Sequence, residues 1–385
     1  MLFEHHSLTN FTSWSARAIM RQQKEKAILA GFRHPGIYDG DAEDPYYELA
    51  RLVETAGASV EEVITQPENK PTPQFFLGRG KIEEIASAVE FFDIDFVVFN
   101  NELTPLQFRN LEDAVGTKVI DRTQLILDIF AMRAQSNEGK IQVELAQLEY
   151  LLPRMAGRGI MLSRLGGGIG TRGPGETKLE VDRRRIRTRI SVLKRKLEKV
   201  EKNRSVQKHR RKKQNVPLLA LAGYTNAGKT TLFNRLSNES AFVEDKLFAT
   251  LDPLTRRIYI PESGNVLLVD TVGFIKNLPV KLVESFKSTL EGLNEADLIL
   301  HVVDISSMQY ASHIQEVEKI INELGASEIP SILVLNKIDS LEKPDRVAGL
   351  EKSHADISQI SAKSGTGIEA LKIKISGRLQ GRTPG

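Results

Sequence analysis

Residues 216–231 read VPLLALAGYTNAGKTT. The apolar run Val216 to Ala222 has the length and composition of a fully buried strand. It breaks at Gly223-Tyr224-Thr225-Asn226-Ala227-Gly228-Lys229-Thr230, which fits G-x-x-x-x-G-K-[ST]. Thr231 follows, and Leu232 and Leu236 open a helical spacing. Strand, glycine loop and helix in that order are the context in which this pattern marks a phosphate-binding loop. Gly223 and Gly228 let the backbone turn its N–H groups inward, and the helix N-terminus adds partial positive charge. Lys229 would reach the β- and γ-phosphates, and the Thr230 hydroxyl would ligate Mg²⁺. The plainer reading is a glycine-rich turn with Lys229 in solvent. Three further elements in chain order weigh against it.

The first is Phe248-Ala249-Thr250-Leu251-Asp252-Pro253, ahead of a strand expected over Arg257–Pro261. Thr250 can complete a Mg²⁺ shell when a γ-phosphate is present and let go after hydrolysis. The second is the strand Val266–Val269 running into Asp270-Thr271-Val272-Gly273. Asp270 would hold Mg²⁺ through a water, and the Gly273 N–H would meet the γ-phosphate. The third follows strands expected at Leu298–Asp304 and Ser331–Leu335: Asn336-Lys337-Ile338-Asp339, then Ser361-Ala362-Lys363 after a strand at Asp356–Ile360. An ionised Asp339 only accepts hydrogen bonds, so it suits the N1–H and N2–H₂ of guanine and not adenine. Lys337 would pack its stem on the base, and the Ala362 N–H would donate to guanine O6. Together these elements describe a site for GTP or GDP.

Lys229, Thr250, Gly273 and Asn226 are the candidate catalytic residues, with Thr230 and Thr250 as direct metal ligands. Ras-like proteins place a water-positioning glutamine directly after the Asp-x-x-Gly glycine. Phe274 stands there and cannot do this, so slow intrinsic hydrolysis, accelerated by a partner, is expected. Asn226 leaves two readings open. It coordinates K⁺, whose charge assists the transition state, or it only shapes the loop.

The chain has 385 residues, 41% hydrophobic and 27% charged, enough for two or three domains of ordinary globular composition. There is no cysteine, which excludes disulfides and Cys-based zinc sites. The seven histidines show no ligand spacing. No targeting pattern or membrane span is visible, and a cytoplasmic monomer is expected.

Strands at Lys26–Phe32, Ser59–Thr65, Asp95–Asn100 and Lys118–Asp121 alternate with helices at Glu43–Ala56, Lys81–Phe91 and Pro105–Val115. That alternation indicates a small parallel α/β domain. Gly78-Arg79-Gly80-Lys81 lacks full phosphate-loop spacing and reads as a turn opening a helix, or an interaction surface, ahead of a second nucleotide site. Beyond it, Ala134, Ile141, Leu145, Leu148, Leu152 and Met155 are spaced as a narrow seam, as are Ile186, Ile190, Leu193, Leu197 and Val200. Gly166–Gly175 interrupts them, so a long helical hairpin with a glycine-rich tip or hinge is expected. The expected domains are 1–121 (α/β), 122–213 (helical hairpin) and 214–385 (nucleotide-binding, α/β).

The net charge of +3 conceals segregation: residues 182–213 hold 16 Lys/Arg against 3 Asp/Glu, a local +13, leaving about −10 for the rest. A solvated face or linker is the ordinary reading of a charge run. This one is nearly all one sign, lies beside an apolar seam and has few aromatics. Structured RNA, bound by shape and charge with steep salt dependence, is the partner it suits, ahead of single strands or a membrane surface.

The residues Phe76-Leu77-Gly78-Arg79-Gly80-Lys81, Gln147-Leu148-Glu149-Tyr150, Gly166–Gly170, Gly173-Pro174-Gly175-Glu176-Thr177 and Glu180–Arg185 resemble the signatures of the HflX family of TRAFAC-class GTPases. The resemblance covers nearly the whole chain. It implies an α/β N-terminal subdomain, a helical hairpin and a G domain. It also implies GTP-dependent binding to the large (50S) ribosomal subunit, its RNA and proteins, with roles in splitting or rescuing stalled ribosomes or in assembly. The family's N-terminal region is reported to bind ATP, and no second Walker motif is present to assign to it. Many relatives carry a small further domain after the G domain; this sequence ends at Gly385. Two alternatives stand beside the ribosome-binding switch: an ATP-driven RNA remodeller using the N-terminal domain, and a binding-only regulator.

Overall fold

The structure is a computed structural model that describes residues 24–33, 45–67, 70–155, 178–238, 247–248, 251–276, 292–341, 350 and 356–380. The chain divides into two compact units, residues 1–129 with 153–169, and residues 130–152 with 170–385.

In the first unit, β1 (Lys26–Arg33), β2 (Ser59–Pro67), β3 (Phe96–Phe99) and β4 (Lys118–Asp121) form a parallel sheet of order β2-β1-β3-β4. β1 and β3 are central and almost wholly buried, as apolar runs flanked by crossovers should be. β2, at the edge, carries Glu61 and Glu62, which discourage further strand pairing. The crossovers are α1 (Pro45–Thr55), α2 (Arg79–Phe92) and α3 (Pro105–Val115). α3 starts at a full capping box: Thr104 accepts from the Gln107 N–H, and the Gln107 side chain accepts from the Thr104 N–H. α2 starts at Arg79, two residues before the position expected. Gly78, its N-cap, lends no side chain, and its N–H donates instead to the Gln66 side chain at 2.9 Å.

α4 (Arg122–Arg133), α5 (Asn137–Arg154) and the 36-residue α6 (Lys178–Lys213) follow. Of the seam expected on α6, Ile186 and Leu193 are buried while Ile190, Leu197 and Val200 are half-buried. The seam on α5 departs from expectation. Of Ile141, Leu145, Leu148 and Leu152 only Leu145 is buried, and the buried face is Gly139, Gln142, Val143, Ala146 and Tyr150. Small residues permit close approach there, and a buried amide shares the face, so counting apolar residues alone misplaces it. Ala134 falls between the helices, and Met155 lies just beyond α5. Glu144–Arg189 (2.6 Å) and Glu149–Lys194 (2.8 Å) pair α5 with α6. The expected tip, Gly166–Gly175, lies outside the described residues.

The second sheet has order β10-β9-β8-β5-β7-β6. Its strands are β5 (Leu218–Gly223), β6 (Leu254–Ile260), β7 (Gly264–Asp270), β8 (Leu298–Asp304), β9 (Ser331–Asn336) and β10 (Ile357–Gln359). Only the β6–β7 pair is antiparallel. α7 (Lys229–Ser237), α8 (Tyr310–Glu323) and α9 (Ile368–Gln380) complete it. After β5 the chain builds β6 and β7 on one side and β8 to β10 on the other. The carboxyl end of β5 is therefore a topological switch point, where open α/β sheets bind ligands.

Deleting the fully buried Ile85 side chain (Ile85→Ala) should cost about 2–5 kcal/mol, against about 1 kcal/mol for Thr104→Ala. Urea titration read through amide exchange of β3 and α2 checks both values and their order.

Candidate functional site

The loop after β5 is shaped by close approach of backbone and side chains. A Cβ on Gly223 would lie 2.2 Å from the Val302 carbonyl oxygen of β8, and one on Gly228 (φ +88) 2.3 Å from Asn336 Nδ2. Asn226 sits at φ +61, a conformation asparagine tolerates. The loop is zipped to the segment after β7: the Thr225 N–H donates to Phe274 O (2.7 Å) and the Phe274 N–H to Gly223 O (3.1 Å).

Lys229 is buried at the start of α7, and its Nζ donates to Gly223 O (3.0 Å) and Tyr224 O (2.8 Å). Burial pushes its pKa down to about 8, with Asp270 pulling the other way. A Cβ on Gly273 would lie 3.0 Å from Lys229 Nζ, so the glycine leaves the ammonium its room. Thr230 Oγ1 donates to Asp270 Oδ2 at 2.8 Å, and the buried Thr271 hydroxyl donates to Leu221 O at 2.6 Å. Val272 is buried beside them, and Thr231 is half-buried on α7.

At the other end, the buried Asn336 carboxamide joins two loops. Nδ2 donates to Ala227 O and Oδ1 accepts from the Ala362 N–H, both at 2.9 Å. The Ala362 N–H, read from sequence as a donor to guanine O6, is thus engaged by Asn336. Lys337 has φ +65, and its Nζ lies 2.7 Å from Asp304 Oδ2. The Ile338 N–H donates to Ile360 O, tying the two base loops together. Asp339 is exposed and its carboxyl is held below its usual range, first by the Ser361 hydroxyl, with Lys363 contributing. It is ionised at neutral pH and therefore acceptor-only.

The expected switch segment is only partly described: Ala249 and Thr250 lie outside it. Phe248 is buried edge-on against Phe130 of α4, 4.7 Å between centroids, and Leu251 is also buried. Asp252, read from sequence as nucleotide-contacting, has both carboxylate oxygens on the start of α5. It accepts from the N–H groups of Gln135 (2.8 Å) and Ser136 (2.7 Å) and from the Ser136 hydroxyl (2.5 Å). The acceptors are spent on a helix N-terminus because that is where unpaired N–H groups and positive potential coincide. Sequence reading missed these partners, more than a hundred residues away, and also His313, which stacks on Tyr224 at 3.9 Å. Burial pushes His313 down to about 4, so it is neutral, while the Tyr224 hydroxyl accepts the Lys276 N–H at 2.7 Å. Among the described residues no cluster of three or more His, Cys, Asp or Glu could hold a metal. Thr230 and Asp270 are nonetheless hard oxygen donors of the kind Mg²⁺ takes while keeping several waters.

Because Lys229 titrates at about 8 in the nucleotide-free protein, a polyphosphate beside it should restore the proton. GDP binding is expected to take up close to one proton at pH 9 and almost none at pH 7, with affinity falling as pH rises above 8. Calorimetry in buffers of differing ionisation enthalpy measures this. Equal uptake at both pH values would contradict it.

Three family descriptions tile the chain: GTP-binding GTPase N-terminal over residues 43–131, GTP-binding GTPase Middle Region over 133–211, and 50S ribosome-binding GTPase over 218–337. The GTPase HflX of Caldanaerobacter subterraneus subsp. tengcongensis is 52% identical over 91% of this chain and 80% of its own length. That of Escherichia coli is 46% identical over 89% and 80%. The crystal structure of the SsGBP and GDP complex is similar at a TM-score of 0.51 and 28% identity, covering 92% of this chain and 98% of SsGBP. A phosphate loop at a switch point, an acceptor-only aspartate at the base end and this level of identity place the chain in the HflX family of GTPases, which bind and hydrolyse GTP.

Proposed function

We propose that this GTPase is a switch on the large ribosomal subunit, with α6 held against ribosomal RNA and nucleotide state setting the affinity. The observation that carries this is α6 itself. It is one continuous helix whose small apolar seam is turned inward while Arg184, Arg185, Arg187, Arg195 and Lys196 stand exposed. A rigid rod that is predominantly basic fits a phosphate backbone of fixed shape. The 50S ribosome-binding description of the family matched over 218–337 supports the same partner. No described helix is long and apolar enough to cross a membrane.

In this reading the working parts are residues 1–121, 122–213 and 214–385. The loop from Gly223 to Thr231 cradles the phosphates, with Lys229 leaving its carbonyl partners for the β- and γ-phosphates. Thr230 and Thr250 hold Mg²⁺ directly and Asp270 holds it through water; the ion neutralises developing phosphate charge. The Gly273 N–H meets the γ-phosphate. Asp339 reads guanine N1–H and N2–H₂, Lys337 lies along the base, and the Ala362 N–H meets O6. Phe274 is buried and offers no polar group to a water, so hydrolysis is slow until the ribosome supplies or orients one. The biological use is splitting or rescue of stalled ribosomes, or subunit assembly.

Sedimentation with large ribosomal subunits tests this. Binding should be stronger with a non-hydrolysable GTP analogue than with GDP, fall steeply between 50 and about 200 mM salt, and be lost when Arg183–Arg185 are neutralised. Equal binding in both nucleotide states would remove the switch. ATP turnover that survives Lys229→Ala would favour the ATP-driven remodeller instead.

A further inference from the structure

α7 touches the phosphate end of the site through Lys229 and Thr230, and its last turn reaches the base end. Arg235 Nε donates to Ala362 O at 3.1 Å, and Nη2 donates to Lys363 O. A cation near a helix C-terminus is ordinarily explained by the helix dipole. The dipole does not account for a guanidinium whose fork meets two successive carbonyls 127 and 128 residues away. Nor does it account for Gly365 (φ +91), whose missing Cβ would lie 3.7 Å from Arg235 Cζ, so that the guanidinium packs directly beneath the turn.

The other bonds of this turn close it on itself. The Gly365 N–H donates to Ser361 O (2.8 Å), the Ser361 N–H to Thr366 O (3.0 Å), and the Ser364 N–H to Ser361 Oγ (3.1 Å). They fix its shape but not its orientation towards β9. Orientation comes from two outside partners, Asn336 on the Ala362 N–H and Arg235 on the Ala362 and Lys363 carbonyls. In a trans peptide, N–H and C=O point opposite ways. Holding the Ala362 and Lys363 carbonyls towards α7 therefore sets the direction of the Lys363 and Ser364 N–H groups, and the Ser364 N–H in turn holds Ser361 Oγ (3.1 Å) where it meets Asp339. The Ala362 N–H, one peptide earlier in the same closed turn, is carried with it and held by Asn336.

We propose that Arg235 is a positioning residue for guanine specificity. It orients the Ser361–Lys363 turn so that the Ala362 N–H and the Ser361-supported Asp339 carboxylate face the base. The proposal rests on the assignment of residues 336–339 and 361–363 as the base end. Lysine would be an incomplete substitute, because a point charge cannot satisfy both carbonyls with the fork geometry.

The test measures affinities for GDP and ADP in the full chain for the parent, Arg235→Ala, Arg235→Lys and Asp339→Asn, with the thermal midpoint of each nucleotide-free protein. Two charge-assisted bonds are lost in Arg235→Ala, so its GDP affinity should fall roughly 10- to 100-fold. Its nucleotide-free midpoint should fall modestly with the lost bonds, as it would for any structural role, but its ADP affinity should stay unchanged while its GDP affinity falls, and Arg235→Lys should recover part of the loss. A parental GDP/ADP ratio in Arg235→Ala, whether both affinities hold or fall together, overturns the proposal. Asp339→Asn separates the underlying assignment. Loss of guanine preference there with Arg235→Ala unaffected defeats only the role of Arg235, whereas retained preference defeats the base-end assignment and the role together.

Discussion

One buried carboxamide holds the nucleotide site together. Asn336 donates to the phosphate loop at Ala227 O and accepts from the base-end turn at the Ala362 N–H, each at 2.9 Å, and Gly228 leaves it only enough room. A buried amide left half-satisfied is costly, so both loops are pinned to the end of β9 in the geometry that serves both bonds. Three segments spread over more than 130 residues thereby become one crevice at the carboxyl end of β5. The bond from Thr225 to Phe274 and the pair Thr230–Asp270 attach the fourth segment to it. The site is therefore assembled by protein–protein hydrogen bonds that ligand has partly to exchange. In the proposed binding mode Lys229 leaves two carbonyls and the Ala362 N–H is shared.

Much of this was legible in the sequence. The strands around the phosphate loop, the parallel N-terminal sheet and the helix at Pro105 are governed by local apolar runs, glycines and caps, and lie close to where their residues indicate, except that β6 begins at Leu254, three residues before the expected start, because its antiparallel pairing with β7 extends to Asp270. The motifs 223–231, 270–273, 336–339 and 361–363 each sit at a strand end, and Asn336 brings two of them together. What escaped the sequence was set by contacts with no local signature. The buried face of α5 follows small residues and Gln142, not the leucine spacing. Asp252 faces Ser136, Phe248 faces Phe130 and Arg235 faces Ala362, all across more than a hundred residues. Periodicity reports which residues avoid water; it says nothing about which distant partner they meet.

Residues on both sides of Thr250 are thus committed to α4 and α5, by an aromatic contact at Phe248 and by three hydrogen bonds at Asp252. The segment expected to respond to the γ-phosphate and the region leading to the basic helix share those contacts within one compact unit. Meanwhile the strong positive charge of residues 182–213 lies on a helix that carries little hydrophobic surface of its own. Stability of the nucleotide domain comes from its own core around β5 and α7, which leaves α6 available for charge.

Asn336 organises the site, and the GDP affinity of Asn336→Ala measures how far it does so. The affinity should fall at least about 100-fold, the cost of leaving two buried partners unmet together with the disordering of two loops, while the sheet remains folded by circular dichroism. A variant that binds GDP within a fewfold of the parent would contradict it.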